Sequence, residues 1–321
     1  MLKILLVKMS SMGDLVHNLP VVTDIHAHCP AAVVDWVAEE AYVTIPALHR
    51  GVRNVIPIAW RRWRRHLVCT GTWREMAAFR RQLTAADYDF VLDSQGLLKS
   101  ALVGTMAHGV LVGGDGKSIR EPLAAIFYRH RLPVAWSRHV VDRCRAIAAG
   151  ILGYAIDTPP EYGIKAVPLV ADWLPATPYC VLMHAASRPE KLWQESYWID
   201  LGLFLKQIGL VSVLPWGSAE ERQRSLRLAQ FLPGAVVPPL MDLATAAGFL
   251  AGSALVVGLD TGFTHFAAAL GRPTIGIYCD SDSRQAAVYG SAFCESYGQS
   301  GDPPSYATIQ DAATRALAAA S

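Results

Sequence analysis

Short runs of β-branched and other apolar residues alternate with longer helical stretches along this chain, and the alternation occurs twice. In the first round, residues 4–7, 33–37, 54–58, 90–93 and 110–112 are predicted strands, and residues 14–29, 72–83 and 97–108 predicted helices. Strands separated by helical crossovers build parallel sheets, because a parallel neighbour cannot be reached through a tight turn. A proline-dense passage follows, from Thr158-Pro159-Pro160 through Pro168, Pro175 and Pro178. Proline lacks an amide N–H and resists helix continuation, so this passage reads as a linker. The alternation then restarts, with strands at 179–183, 211–214, 235–237, 255–257 and 274–278 and helices at 197–208, 219–231, 243–251, 264–270 and 306–320. The expectation is an α/β protein with two Rossmann-like domains, 1–165 and 166–321, facing each other across a ligand-binding cleft. The last helix is a candidate to pack back on the first domain.

Hydrophobic residues make up 52% of the 321 positions, enough for two cores. No apolar run reaches the ~18 residues that a spanning helix needs. The opening Met1-Leu2-Lys3-Ile4-Leu5-Leu6-Val7-Lys8 is too short for a signal-peptide core and reads as a buried first strand, which points to the cytoplasm. The six cysteines are scattered without a C-x-x-C pair, as expected of reduced thiols rather than a zinc site or disulfide framework. A net charge of +2 gives no sign of nucleic acid as a partner. Its distribution is uneven, however. Arg61-Arg62-Trp63-Arg64-Arg65-His66, next to Trp60, is either solvated surface or an anion-binding patch at a membrane.

Several chemistries lack their signatures. No G-x-G-x-x-G follows a strand, which removes the main support for a dinucleotide-dependent oxidoreductase. Gly116-Lys117-Ser118 imitates the end of a P-loop, but the required first glycine is Leu111. Neither H-E-x-x-H nor G-x-S-x-G occurs.

What remains sits where predicted strands run into helices. The first strand leads into Ser10-Ser11-Met12-Gly13-Asp14; Asp14 is either a first-turn capping carboxylate or, at the carboxyl end of a strand, a general base. Asp260-Thr261-Gly262-Phe263-Thr264-His265 follows a buried strand and opens a helix, whose unpaired N–H groups and dipole suit a phosphate. His184 through Lys191 leaves another strand end, with Ser187 and Lys191 suited to a diphosphate or to plain solvent exposure. Pro215-Trp216-Gly217-Ser218-Ala219-Glu220-Glu221 is a fourth such loop, whose acids answer a helix dipole.

Together these segments resemble glycosyltransferase family 9, the heptosyltransferases of lipopolysaccharide inner-core synthesis, which have the GT-B fold. The resemblance runs through Lys8-Met9-Ser10-Ser11-Met12-Gly13-Asp14, Arg61-Arg62-Trp63-Arg64, Asp93-Ser94-Gln95-Gly96-Leu97-Leu98-Lys99-Ser100, Arg120-Glu121-Pro122-Leu123-Ala124, Pro215-Trp216-Gly217 and Asp260 to His265. It implies inverting transfer of L-glycero-D-manno-heptose from ADP-heptose to Kdo of Kdo-lipid A, with no cofactor and no metal. It further implies a monomer working peripherally on the cytoplasmic face of the inner membrane. By position, Asp14 is the implied base and Lys191 its catalytic partner. Ala186, Ser187, Lys191, Glu221, Met241, Asp260, Thr261, Gly262 and His265 are implied on the donor, and Ser10, Ser11, Gly13, Arg61, Arg62, Arg64, Gln95 and Arg120 on the acceptor. The chain departs from the family at Ala186-Ser187, where two threonines are frequent, and at Cys279-Asp280, where Gly-Pro is usual. Three alternatives stay open: a member acting on a later acceptor, such as heptosyltransferase II, a two-lobed non-catalytic binding protein, and a nucleotide-sugar epimerase or dehydrogenase.

Overall fold

A computed structural model describes residues 1–319, and within it the chain divides into two units, the first Met1–Ile164 and the second beginning at Lys165. The first unit runs β1 (Lys3–Val7), α1 (Met12–His28), β2 (Val33–Glu39), α2 (Thr44–Ala47), β3 (Val52–Ile58), α3 (Trp60–Trp63), α4 (Thr70–Leu83), β4 (Asp87–Asp93), α5 (Leu98–Gly104), β5 (His108–Gly114), β6 (His130–Leu132) and α6 (Val140–Leu152). The second runs β7 (Tyr179–Met183), α7 (Glu195–Gln207), β8 (Val211–Val213), α8 (Ala219–Ala229), α9 (Leu243–Ala251), β9 (Leu255–Leu259), α10 (Gly262–Ala269), β10 (Thr274–Ile277), α11 (Ser283–Ala286), β11 (Cys294–Tyr297) and α12 (Tyr306–Ala318).

The first sheet has the order β3-β2-β1-β4-β5-β6, and its strand pairs are parallel. That is the doubly wound order, in which the winding direction reverses between β1 and β4. Ile4, Leu5, Leu6 and Val7 are buried, as a central parallel strand covered on both faces requires. The second sheet is β11-β10-β9-β7-β8, also parallel, with its reversal between β7 and β9. It repeats the first order with one strand missing. Residues 235–237, expected as that strand, form only a single parallel bridge, Val213 to Val236. Val236 exchanges hydrogen bonds with Ser212 and Leu214, and Pro238-Pro239 then removes the next two donors.

Other departures also have local causes. The helix expected over 97–108 ends at Gly104, which lies so close to β5 that an added Cβ would meet Leu111 Cδ1 at 2.5 Å. The edge strands β6 and β11 were not expected; both are short and neither is fully buried. Nor was α6, although its ends are marked: His139 caps it by accepting from Val141 N, and Gly153 closes it at φ 76°. Helix α6 packs on α1 through Arg145, which is 2% exposed and grips Asp24 at 2.7 and 3.0 Å. Helix α12 belongs to the core of the second unit through Ile309, Ala312, Ala313 and Ala316. Ala320, the end of the expected last helix, and Ser321 lie outside the described residues.

Candidate functional site

In a doubly wound sheet the loops at the reversal diverge and leave a crevice at the carboxyl ends of the strands. In the first unit these are the loops after β1 and β4. Asp93, the last residue of β4, is fully buried. Its Oδ1 accepts from Gln95 N (2.9 Å) and Gly96 N (3.1 Å), and its Oδ2 from Ser100 Oγ (2.8 Å) and Tyr128 OH (2.7 Å). Burial raises the Asp93 carboxyl, and the hydrogen bonds pull only partly the other way. The loop so fixed holds the β1 loop in turn. Gln95 Oε1 accepts from Met9 N at 2.8 Å, Gln95 Nε2 donates to Ser10 O, and Lys99 Nζ donates to Ser10 Oγ at 2.8 Å. Lys8, 3% exposed, donates to Ser94 O at 2.8 Å.

Helix α1 starts from this clamped loop. Ser11 is its N-cap residue, and Asp14 Oδ2 accepts from Ser11 N at 2.7 Å and Ser11 Oγ at 3.2 Å. Asp14 therefore does cap the helix, as one of the two sequence readings held. Among the described residues, however, its Oδ1 has no hydrogen bond, which leaves one oxygen of this half-buried residue for a second role. Gly13, at the second position of α1, adds no side chain in front of it.

The basic residues divide. Arg62 is engaged by two acids, Glu40 at 3.0 Å and Glu75 at 2.8 Å. Arg61 leans on Tyr42, donating to its hydroxyl at 3.0 Å. Arg64 and Arg120 are exposed. Glu121, beside Arg120, ties that segment to the β4–α5 loop by accepting from Leu98 N at 2.7 Å. Lys99 was missing from the sequence-based set. Burial lowers its pKa, Glu39, Asp14 and Glu121 oppose that, and Arg61 reinforces it. Its partners show that Lys99 shares an electrostatic neighbourhood with Asp14 and Arg61.

In the second unit the reversal lies between the loops after β7 and β9, and a charged pair spans it. Lys191 Nζ meets Asp260 Oδ2 at 2.6 Å, with side chains 18% and 16% exposed. Lys191 is thus neither a solvated surface lysine nor an idle one. Ser281 Oγ also donates to Asp260 Oδ2, at 2.8 Å, and His265 Nε2 lies 3.4 Å from Oδ1. Burial pushes the Asp260 carboxyl up, but its bonds to His265 and Lys191 outweigh this and hold it far below the usual carboxylate range. Thr261 is the N-cap of α10 and Gly262 its first residue, so the first-turn N–H groups emerge beside this pair. Ser187 is exposed in the β7 loop, whereas Ala186 packs against the core. Glu221 answers its own helix start, accepting from Gly217 N at 2.7 Å. Met241 is half-buried before α9.

Residues 76–300 match the family model for glycosyltransferase family 9, heptosyltransferase. The chain is 43% identical over 294 residues to lipopolysaccharide heptosyltransferase 1 of Pseudomonas aeruginosa, covering 90% of this chain and 82% of that one. Its fold matches Escherichia coli heptosyltransferase WaaC with ADP at a TM-score of 0.90 and 37% identity, over 98% of this chain and 99% of the other. The same enzyme with ADP-2-deoxy-2-fluoro heptose matches at 0.83 and 37%, over 98% of both chains.

The chain belongs to glycosyltransferase family 9.

As a family 9 heptosyltransferase of lipopolysaccharide core synthesis, it gathers the residues carried over from the family at the two sheet reversals. Ser10, Ser11, Gly13, Asp14 and Gln95 cluster at the first, and Lys191, Asp260, Thr261, Gly262 and His265 at the second. Gln95 differs in kind from its expected part, because both ends of its amide are used on the β1 loop. Ser281 and Lys99 are the additions. Lys99 stood inside a quoted segment of the family, and its signal was a lysine in the first turn of a helix that follows a strand end. Ser281 follows the Cys279-Asp280 departure, where no pattern remained to mark it.

Proposed function

We propose that this chain transfers L-glycero-D-manno-heptose from ADP-heptose to a Kdo residue of Kdo-lipid A, with inversion, at the cytoplasmic face of the membrane that holds the acceptor. In this reading the first unit takes the acceptor and the second the donor. The observation that carries the reading is Asp14: a fixed carboxylate at a strand end, with one oxygen on its helix cap and the other uncommitted.

An acceptor hydroxyl is a weak nucleophile until its proton is withdrawn. Asp14 Oδ1 takes that proton as the oxygen attacks the anomeric carbon, a contribution of about 10²–10⁴-fold. The bond to the ADP oxygen breaks in the same displacement, and negative charge gathers on the diphosphate. Lys191, Ser187 and the N–H groups at Thr261-Gly262 receive it, and each donor that meets developing charge contributes about 3–4 kcal/mol. Asp260 holds Lys191 in readiness. Arg61, Arg64 and Arg120 bind acceptor carboxylates and phosphates, for which the guanidinium fork is suited. Arg62, already committed to Glu40 and Glu75, braces α3 instead.

The test is a transfer assay with ADP-heptose, Kdo-lipid A and the mass of the product. Gain of one heptose, with ADP released only when acceptor is present, supports the reading. Transfer only to an already heptosylated acceptor moves the chain to a later step. ADP-heptose turnover without acceptor overturns glycosyl transfer.

A further inference from the structure

Large apolar side chains of the first unit stand in solvent on two segments: Leu67, Val68 and Trp73 at the α3–α4 junction, and Leu123, Ile126 and Phe127 on the 3₁₀ segment Pro122–Phe127. Val68 is 99% exposed and Ile126 67%. Neither exposure comes from a loose surface. The Trp73 indole donates to Leu67 O at 2.8 Å, closing the junction with the ring outward. On the other segment Ala124 and Ala125 enter the core, and Tyr128 anchors its end on Asp93, which leaves Leu123, Ile126 and Phe127 outside.

The segments lie on one edge of the molecule's first sheet. One follows the carboxyl end of β3 and the other that of β5, and the sheet order puts β1, with Asp14 after it, between them. Both are basic. Residues 60–74 hold five arginines, of which Arg62 is paired with Glu40 and Glu75 and the other four remain, and residues 116–131 hold Lys117, Arg120, Arg129 and Arg131 against Glu121 alone, in a chain whose net charge is only +2. Exposed apolar groups rimmed by cations suit an anionic lipid surface, where the apolar tips enter the headgroup boundary and the cations meet phosphate. Among the described residues no helix is long and apolar enough to cross a membrane, so attachment by described elements is attachment by surface.

The geometry points to a two-pronged lipid-docking edge, in which Leu67, Val68 and Trp73 on one side and Leu123, Ile126 and Phe127 on the other enter an anionic bilayer and straddle the Asp14 loop. This rests on the reading that the acceptor is membrane-anchored, and it adds that the enzyme holds the bilayer itself, whether or not acceptor is in it. An enzyme so seated meets its acceptor by sliding in the plane of the lipid.

The experiment uses the full chain and acceptor-free vesicles of equal parts phosphatidylglycerol and phosphatidylcholine, with sedimentation as the readout. Wild type co-sediments with these and much less with pure phosphatidylcholine. The double variant Val68→Asp/Ile126→Asp weakens binding by at least about tenfold, as withdrawal of two buried apolar side chains requires. Its thermal midpoint and its turnover of a water-soluble, deacylated acceptor stay as in wild type, because neither residue touches the core or the reacting groups. Brominated acyl chains quench part of the tryptophan emission, and Trp73→Phe removes that part. Wild type that ignores the charged vesicles, a double variant that binds them equally well, or binding that needs a second protein overturns the docking edge. Failure of wild type to turn over the soluble acceptor overturns the transfer reading instead.

Discussion

At the reversal of the first sheet, the Gln95 amide and two lysines, Lys8 and Lys99, stitch loop to loop, and Asp14 is left with an unshared oxygen. At the reversal of the second sheet, the corresponding space holds a lysine and an aspartate bound to each other at 2.6 Å. The same strand order thus supports two electrostatic designs. The first holds Asp14 on a stiff backbone with one oxygen unshared, which suits withdrawal of a proton. The second is charge-balanced until an anion arrives, and the anion then shares Lys191 with Asp260. Asp260 keeps the ammonium oriented while it waits, with Ser281 and His265 orienting Asp260. The lesson is that a shared sheet order locates a site, and the side chains at the loop tips decide its chemistry.

The sharpest way to break the comparison is Asp14→Asn. The helix cap survives, because an amide oxygen still accepts from Ser11 N, but the base is gone. Turnover falls by about 10²–10⁴-fold with ADP-heptose affinity retained; turnover within a factor of about three of wild type removes Asp14 from its role. Next comes Lys191→Ala, which takes the ammonium from Asp260 and leaves it with Ser281 and His265. A drop of about 10²–10³-fold in kcat is expected from losing one donor to developing charge. Donor binding weakens too, measured by titration with ADP. Equal losses at both sites for both substrates would mean that the two reversals do not divide the labour.

Gln95→Ala sharpens the first half of the contrast. It removes the bonds to Met9 N and Ser10 O but touches no proposed substrate atom. About tenfold lower kcat is expected, from one or two hydrogen bonds of roughly 1 kcal/mol each, with ADP affinity unchanged. A Gln95→Glu variant, which keeps only the acceptor half, should fall between.

The smallest effect concerns acid. Burial pushes the ring of His49 in the first unit down to about 4 and that of His184 in the second down to about 3, from 6.5. Folding therefore keeps both rings neutral while the unfolded chain gains their protons below pH 6.5. Stability from each is whole above that pH and declines as pH falls toward the folded value, at most by about 1.4 kcal/mol per pH unit. Denaturation at stepped pH should show the decline, and His184→Asn should flatten it only for the second unit. A slope unchanged by the substitution would show that the ring charges in the folded protein as well.

Much of this was legible in the chain. The alternation of strand and helix fixed two parallel sheets, because the runs at 4–7, 179–183 and 255–257 are wholly apolar and sit between long helical stretches. What it hid was marginal in energy: β6 and β11 are edges with little to bury, and 235–237 reads as a strand until two prolines cut off its donors. Helix α6 escaped because Arg145 interrupts its apolar stripe, and only the partner Asp24, far away in sequence, explains a buried arginine. At the sites, strand-end positions could be read, but partners could not. Nothing in the sequence says that Arg62 is held by Glu40 and Glu75 or that Gln95 spends its amide on backbone.

The separate cores have a practical corollary. A protease cut or an engineered break within the proline-rich passage severs no strand of either sheet. Each fragment carries one whole reversal, so the two could be mixed in a tube and asked to rebuild the reaction, with the amount of either part set at will.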